Sequence, residues 1–140
     1  MRTVVLVGLL LVAACAQTSC APANPSAASL TGRWKVDWKC GVETLDLRAD
    51  GTYVYAIEFA AGGRATDSGS WRLMPGKSRL RGAEVVLLNA IETCSVFGEK
   101  TEKASRGDRS LEAMHEYGRT LLLFNPDIQG FARDRGDRAK

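Results

Sequence analysis

The sequence predicts an all-β fold, a small antiparallel up-and-down β-barrel of seven or eight short strands. Three observations predict it. From Leu30 onward the apolar residues recur with period two, the spacing of a strand with one buried face. Turn residues, chiefly Gly, Asp and Pro, break these runs at near-regular intervals. No segment of the domain carries an apolar stripe at helical spacing. A closed meander is preferred to a two-sheet sandwich, because tight hairpins set sequential strands side by side and closure removes exposed edges.

A leader precedes the domain. Arg2 supplies a positive charge, Val4 to Val12 is an uncharged apolar run, and Ala13-Ala14-Cys15 follows. The run is far shorter than the roughly 20 residues of a transmembrane helix. Its layout is that of a secretory signal peptide. The order Val12-Ala13-Ala14-Cys15 resembles the lipobox of bacterial lipoproteins. That resemblance implies cleavage after residue 14, acylation of the Cys15 thiol and a tethered position in the cell envelope. Ala16 after the cysteine, where Asp would retain a Gram-negative lipoprotein in the inner membrane, implies the outer membrane facing the periplasm. Plain secretion, with cleavage near Ala16 or Ala21, is the alternative and would release a soluble protein. Cys20 is the weaker acceptor, because Gln17 stands where the lipobox wants an aliphatic residue. Residues 15 to 29 then read as the lipidated cysteine and a short tether, small, polar and Pro-containing.

The barrel domain is assigned to residues 30 to 132. Trp34, Val36 and Trp38 alternate with Arg33, Lys35 and Asp37. Leu45 and Leu47 alternate with Asp46 and Arg48. Asp50-Gly51 is a hairpin signal, because Gly tolerates the positive φ of such a turn. Tyr53, Tyr55, Ile57 and Phe59 form the next apolar face, and Ala61-Gly62-Gly63-Arg64 the next turn. Gly69, Trp71 and Leu73 alternate with Ser70 and Arg72, and Pro75-Gly76 ends that strand. Val85 to Leu88 is apolar on both faces, as in a well-covered strand. Ser95 to Asp108 is polar, charged and glycine-containing, and predicts a longer loop. Leu111 to Tyr117 is compatible with a strand or a helical turn, and strand is preferred. Thr120 to Phe124 predicts a strand, Asn125-Pro126-Asp127 a turn, and Ile128 to Ala132 a short final strand. Residues 133 to 140 read as a charged, frayed tail.

The chain has 140 residues and a formal charge of +3. Loss of the leader leaves 126 residues and +2, enough for one domain with a real core and too little charge for a nucleic-acid footprint. In an oxidising compartment the four cysteines are open to pairing. With Cys15 acylated, Cys40 and Cys94 are the natural disulfide pair within the domain. Cys20 is left over, and a bridge from it to the domain stays open as an alternative.

Leu30-Thr31-Gly32-Arg33-Trp34, Leu45 through Tyr53 with its Asp-Gly-Thr hairpin, and Gly69-Ser70-Trp71-Arg72-Leu73 together resemble lipocalin-like barrels. Small bacterial envelope proteins of that kind look similar, and Tyr117 through Asp127 is similar to their close. The resemblance spans roughly residues 30 to 132. It implies a calycin-type barrel and transfers no catalytic residues. Trp38-Lys39-Cys40-Gly41-Val42-Glu43-Thr44-Leu45 is also similar to the early Cys strand of bacterial lipoprotein metalloprotease inhibitors, although in those the partner cysteine comes sooner than Cys94.

No reactive constellation is legible. There is no G-x-S-x-G, phosphate loop or H-E-x-x-H. His115 stands near Glu112 and Glu116, but catalytic zinc asks for more than one His, so no metal and no cofactor are expected. Asp46, Asp50, Glu58, Glu84 and Glu92 read as outward solubilising groups, with Glu84 or Glu92 open to an inward position. Arg106-Gly107-Asp108 and Arg135-Gly136-Asp137 read as mobile loop segments. The aromatic stripe is the remaining candidate. Trp34, Tyr53, Tyr55 and Trp71 are the expected liners of a ligand site, with packed core as the competing role. The expectation is a non-enzymatic envelope lipoprotein that meets the membrane through its lipid and binds a small apolar ligand. The alternative is a filled barrel acting on a protein partner, such as a hydrolase.

Overall fold

Alternating burial along each strand is what closes this chain on itself. The computed structural model describes residues 21–94, 100–116, 118–124 and 130–134, the side chains of 21 and 100–104 excepted. The elements are β1 (Ala21–Pro22), α1 (Ala27–Leu30), β2 (Gly32–Trp38), β3 (Gly41–Leu47), β4 (Thr52–Phe59), β5 (Arg64–Met74), β6 (Glu84–Cys94), β7 (Lys100–Glu116), β8 (Arg119–Leu123) and β9 (Gly130–Arg133). Strands β2 to β9 pair antiparallel in sequence order, and β9 returns to β2 through Trp34 opposite Arg133 and Lys35 opposite Ala132. The result is a closed eight-stranded up-and-down barrel. The sandwich alternative fails because every strand from β2 to β9 has a partner on both sides. The leader, Cys15, Cys20, the Asn125-Pro126-Asp127 turn and the second Arg-Gly-Asp triplet lie outside the described residues.

The inward faces follow the apolar parity. Trp34 and Val36 are buried on β2, Leu45 and Leu47 on β3, Tyr53, Tyr55 and Ile57 on β4. Trp71, Val85, Leu87, Leu111, Ala113, Leu122 and Phe131 complete the core. The Asp50-Gly51 turn is held as expected. Thr52 donates its N–H to Asp50 Oδ1 at 2.9 Å and its hydroxyl at 2.6 Å, and Gly51 takes φ +81°. Gly41, at the start of β3, is more demanding. Its φ is +153°, and a Cβ there would stand 2.2 Å from the Glu58 carbonyl oxygen. Gly41→Ala is expected to cost about 2 kcal/mol or more, read as a lower urea midpoint at unchanged m-value.

One end of the barrel is shut. Leu30, the last residue of α1, is buried, and its carbonyl accepts the Trp34 indole N–H at 2.9 Å. The Arg133 guanidinium lies 4.2 Å above the Trp34 ring and donates to the carbonyls of Thr31 and Ser29. Arg133, which the sequence places in the tail, therefore completes the seam between β9 and β2. Residues 21 to 29, read from sequence as tether, carry β1 and all of α1 but its last residue, Leu30. Ala21 and Pro22 pair with His115 and Met114 of β7, and Ala23 donates its N–H to the Ala113 carbonyl at 3.0 Å.

The largest departure from expectation is β7. The sequence predicts a loop over Ser95 to Asp108; residues 95–99 lie outside the described residues, and from Lys100 the chain runs in a single 17-residue strand. Polarity misleads here because the polar side chains are used across the sheet. Asn89 adopts φ +49° at a bulge in β6. Its N–H is taken by Asp108 Oδ1 at 3.0 Å, and its carbonyl accepts from Arg106 Nη1 at 2.9 Å. The Arg106-Gly107-Asp108 triplet is thus a strand segment that clamps a bulge, not a mobile loop. Leu111 to Glu116 is strand, and β6 extends well beyond the expected Val85–Leu88 core.

Candidate ligand site at the barrel mouth

Strand direction sets the two ends apart. Strands β2, β4, β6 and β8 run away from the shut end, so Trp38, Phe59, Cys94 and Phe124 gather at the other. The Cys40–Cys94 disulfide crosses this end, joining the β2–β3 turn to the end of β6 with 6.4 Å between Cα atoms. The pairing expected from sequence is the one observed.

Two carboxylates lie on inward parity. Glu43 alternates with Leu45 and Leu47 and is fully buried. Arg109, on the parity of Leu111 and Ala113, donates to Glu43 Oε2 at 3.2 Å. That guanidinium sits 4.0 Å from the Phe124 ring centroid and 5.5 Å from that of Tyr55. The Tyr55 hydroxyl bonds Thr93 Oγ1 at 2.9 Å. Burial first, and the nearby Glu43 carboxylate second, push the Tyr55 phenol well above its ordinary range.

Asp67 bridges a gap in the wall. The β5–β6 ladder is registered from Trp71 opposite Leu87 toward the shut end. Beyond it, Asp67 Oδ2 accepts the Ile91 N–H at 2.9 Å and the Tyr53 hydroxyl at 3.2 Å, while Oδ1 accepts Arg106 Nη2 at 2.9 Å. Burial would raise the Asp67 pKa, but these donors outweigh it and hold the carboxyl below its ordinary value. Its folded pKa is depressed, so its contribution is present above the unfolded value near 3.8 and lost as pH falls through the lower folded value. Tyr53 has the opposite sign. Burial and the Asp67 charge push its phenol up to about 12, against 10.0 unperturbed. An unfolded chain ionises first, so stability falls as pH rises from 10 toward about 12. Tyr53→Phe is expected to flatten that alkaline loss, and Asp67→Asn the acid one, in urea melts taken across pH.

Above this polar layer opens a cavity of about 350 Å³, lined by Trp38 and Phe124, by Ala90 and Glu92 of β6, and by the β7 run from Ser105 to Ser110, which includes Arg106, Asp108 and Arg109. The Trp38 indole N–H is buried and has no hydrogen-bond partner, as is one oxygen of Glu43. Each guanidinium is already matched by a carboxylate, Arg109 by Glu43 and Arg106 by Asp67. The mouth therefore offers ring faces and hydrogen-bond donors rather than unmatched positive charge.

Of the residues expected to line a ligand site, Trp34, Tyr53, Tyr55 and Trp71 are all buried in the core. Trp34 also borders a second cavity, of about 430 Å³, on the seam with Arg119 and Arg133. Sequence reasoning missed Glu43, Asp67 and Arg109. The available signal was a charged residue on the apolar parity of a strand. His115 is exposed on β7 opposite Ala21 and Thr120. Among the described residues no group of three or more His, Cys, Asp or Glu side chains is placed to hold a metal ion. Glu84 is partly buried beside Lys77 and Ser110, and Glu92 is exposed.

Fold and site together define a closed eight-stranded antiparallel barrel with a charged, hydrogen-bonded interior, one shut end and one open mouth. Comparison with protein-family models, curated proteins and solved structures finds no match for this chain.

Proposed function

We propose that this chain is a lipid-anchored, lipocalin-like barrel of the bacterial cell envelope that takes a small amphipathic molecule in its open mouth. The observation that carries the binding reading is the mouth cavity, about 350 Å³ in size, in which Trp38 and Phe124 stand with Ser105, Ser110 and Arg109. That volume suits a small ligand. The matched charges favour a neutral head group bearing a hydrogen-bond acceptor over a free carboxylate. The anchor reading rests on Val12-Ala13-Ala14-Cys15, and the outer-membrane reading on Ala16. No catalytic role is part of the proposal.

Displacement of a fluorescent lipid probe from the mature protein tests the binding. Neutral monoacylglycerols are expected to compete better than fatty acids of equal chain length. Trp38→Phe is expected to weaken binding about fivefold at little change in melting temperature, because a smaller ring is left to pack on the ligand. A probe that never binds at micromolar protein sinks the reading. The second reading, a filled barrel that engages a protein such as a hydrolase, is favoured by the burial of all four aromatic candidates. Recovery of one stoichiometric partner from envelope extract, with no probe bound, would select it.

A further inference from the structure

We propose that the β5–β6 connection is a second membrane contact, which seats the shut end of the barrel on an anionic lipid bilayer and turns the mouth away from it. The proposal rests on the reading that Cys15 is acylated. Two large hydrophobic side chains stand exposed among the described residues, Met74 at 40% and Leu80 at 84%. Met74 is the last residue of β5, and Leu80 lies in the connection that follows it. Cations flank Leu80 in sequence: Lys77 pairs with Glu84 at 3.5 Å and Arg81 with Glu112 at 3.3 Å, while Arg79, next to Leu80, has no ion-pair partner among the described residues. A single exposed Leu is ordinary on a protein surface. An exposed Leu at the tip of a basic loop is the chemistry of an interfacial contact, apolar atoms entering the acyl boundary and cations meeting acidic head groups.

The loop is also built to hold that pose. Gly82 donates its N–H to buried Glu112 at 2.8 Å, and Arg81 lies 3.3 Å from the other oxygen of the same carboxylate. Ala83 donates its N–H to the Ala23 carbonyl at 2.8 Å. The base of the loop is therefore fastened to β7 and to the segment that follows β1.

The path of the chain says which surface lies opposite. Traced backward, β1 runs from Pro22, opposite Met114, to Ala21, opposite His115, toward the tip of the shut end. Five residues, 16 to 20, separate Ala21 from Cys15. At roughly 3.3–3.6 Å per residue, the acylated cysteine stands no more than about 20 Å from that tip. A barrel held so closely by its shut end brings the neighbouring basic loop to the head groups. The opposite end, with the cavity walled by Trp38 and Phe124, faces the aqueous compartment.

The full chain, expressed in bacteria and purified as its mature form, tests this with two readouts. Its intact mass reports acylation. Amide hydrogen exchange over residues 76 to 83 is then compared in vesicles of phosphatidylcholine alone and of phosphatidylcholine with phosphatidylglycerol. Slower exchange with phosphatidylglycerol is expected. Leu80→Ser is expected to reduce that protection about tenfold, since burial of a Leu side chain is lost. Arg79→Glu is expected to reduce it about fivefold or more. Both positions are exposed, so both variants should keep the parent's melting temperature. An acylated protein whose loop exchanges equally in both vesicles overturns the loop contact and leaves the anchor standing. A mature mass without acyl groups overturns the anchor, and the placement of the loop falls with it.

Discussion

Replacing Arg109 with Met is expected to destabilise the barrel by about 3–5 kcal/mol, because it strands a charge in the interior. Glu43 is fully buried and forms an ion pair with Arg109. Removing the guanidinium leaves a carboxylate out of reach of water with its main compensation gone. The packing of the guanidinium over Phe124 at 4.0 Å is lost with it. The informative control is the double variant Glu43→Met/Arg109→Met, which removes both charges at similar volume. Replacing a buried ion pair by apolar side chains is often neutral or stabilising. The double variant is therefore expected to recover most of the loss, with a coupling of about 3 kcal/mol in a urea-melt mutant cycle. Additive single and double effects would show that the two groups act independently.

The Cys40–Cys94 bridge carries the second large effect. It closes a sequence separation of 54 residues. On the chain-entropy model such a loop contributes about 4 kcal/mol, by limiting the unfolded ensemble. Cys40→Ser/Cys94→Ser is expected to lose about that much in urea at fixed pH. The bridge also ties the β2–β3 turn to the end of β6, across the mouth. Probe binding is accordingly expected to weaken in the same variant even at temperatures where it is fully folded. A loss below about 1 kcal/mol would mean that the reduced chain already holds this end together.

Legibility in the sequence followed one physical divide. Strands with apolar residues on one face declared themselves, because a pleated backbone sends alternate side chains to opposite sides. β2, β3, β4 and β5 are legible in this way, and the Asp50-Gly51 hairpin by its turn chemistry. The first part of β7, up to Asp108, is not, because its polar composition reads as a loop, while Arg106 and Asp108 are in fact paired laterally with Asn89 and Asp67. The interior ion pair was half legible. Glu43 sits on the parity of Leu45 and Leu47, and Arg109 on that of Leu111 and Ala113, but their meeting joins positions 66 residues apart. Local period marks a charge as inward; it cannot name its partner.

The sequence by itself determined the all-β class, the near-regular strands, the expected disulfide pair and the layout of the leader. These depend on contacts between neighbours in the chain, or on a short count of candidates. Tertiary structure alone decided that β9 closes onto β2, that Arg133 covers Trp34 at one end, and that a cavity opens beside Trp38 at the other. It also decided that the expected aromatic liners are core. Each of these depends on which distant strands lie side by side once the sheet curls shut. That closure is a global solution for burying the inward faces, and no local stretch of sequence records it.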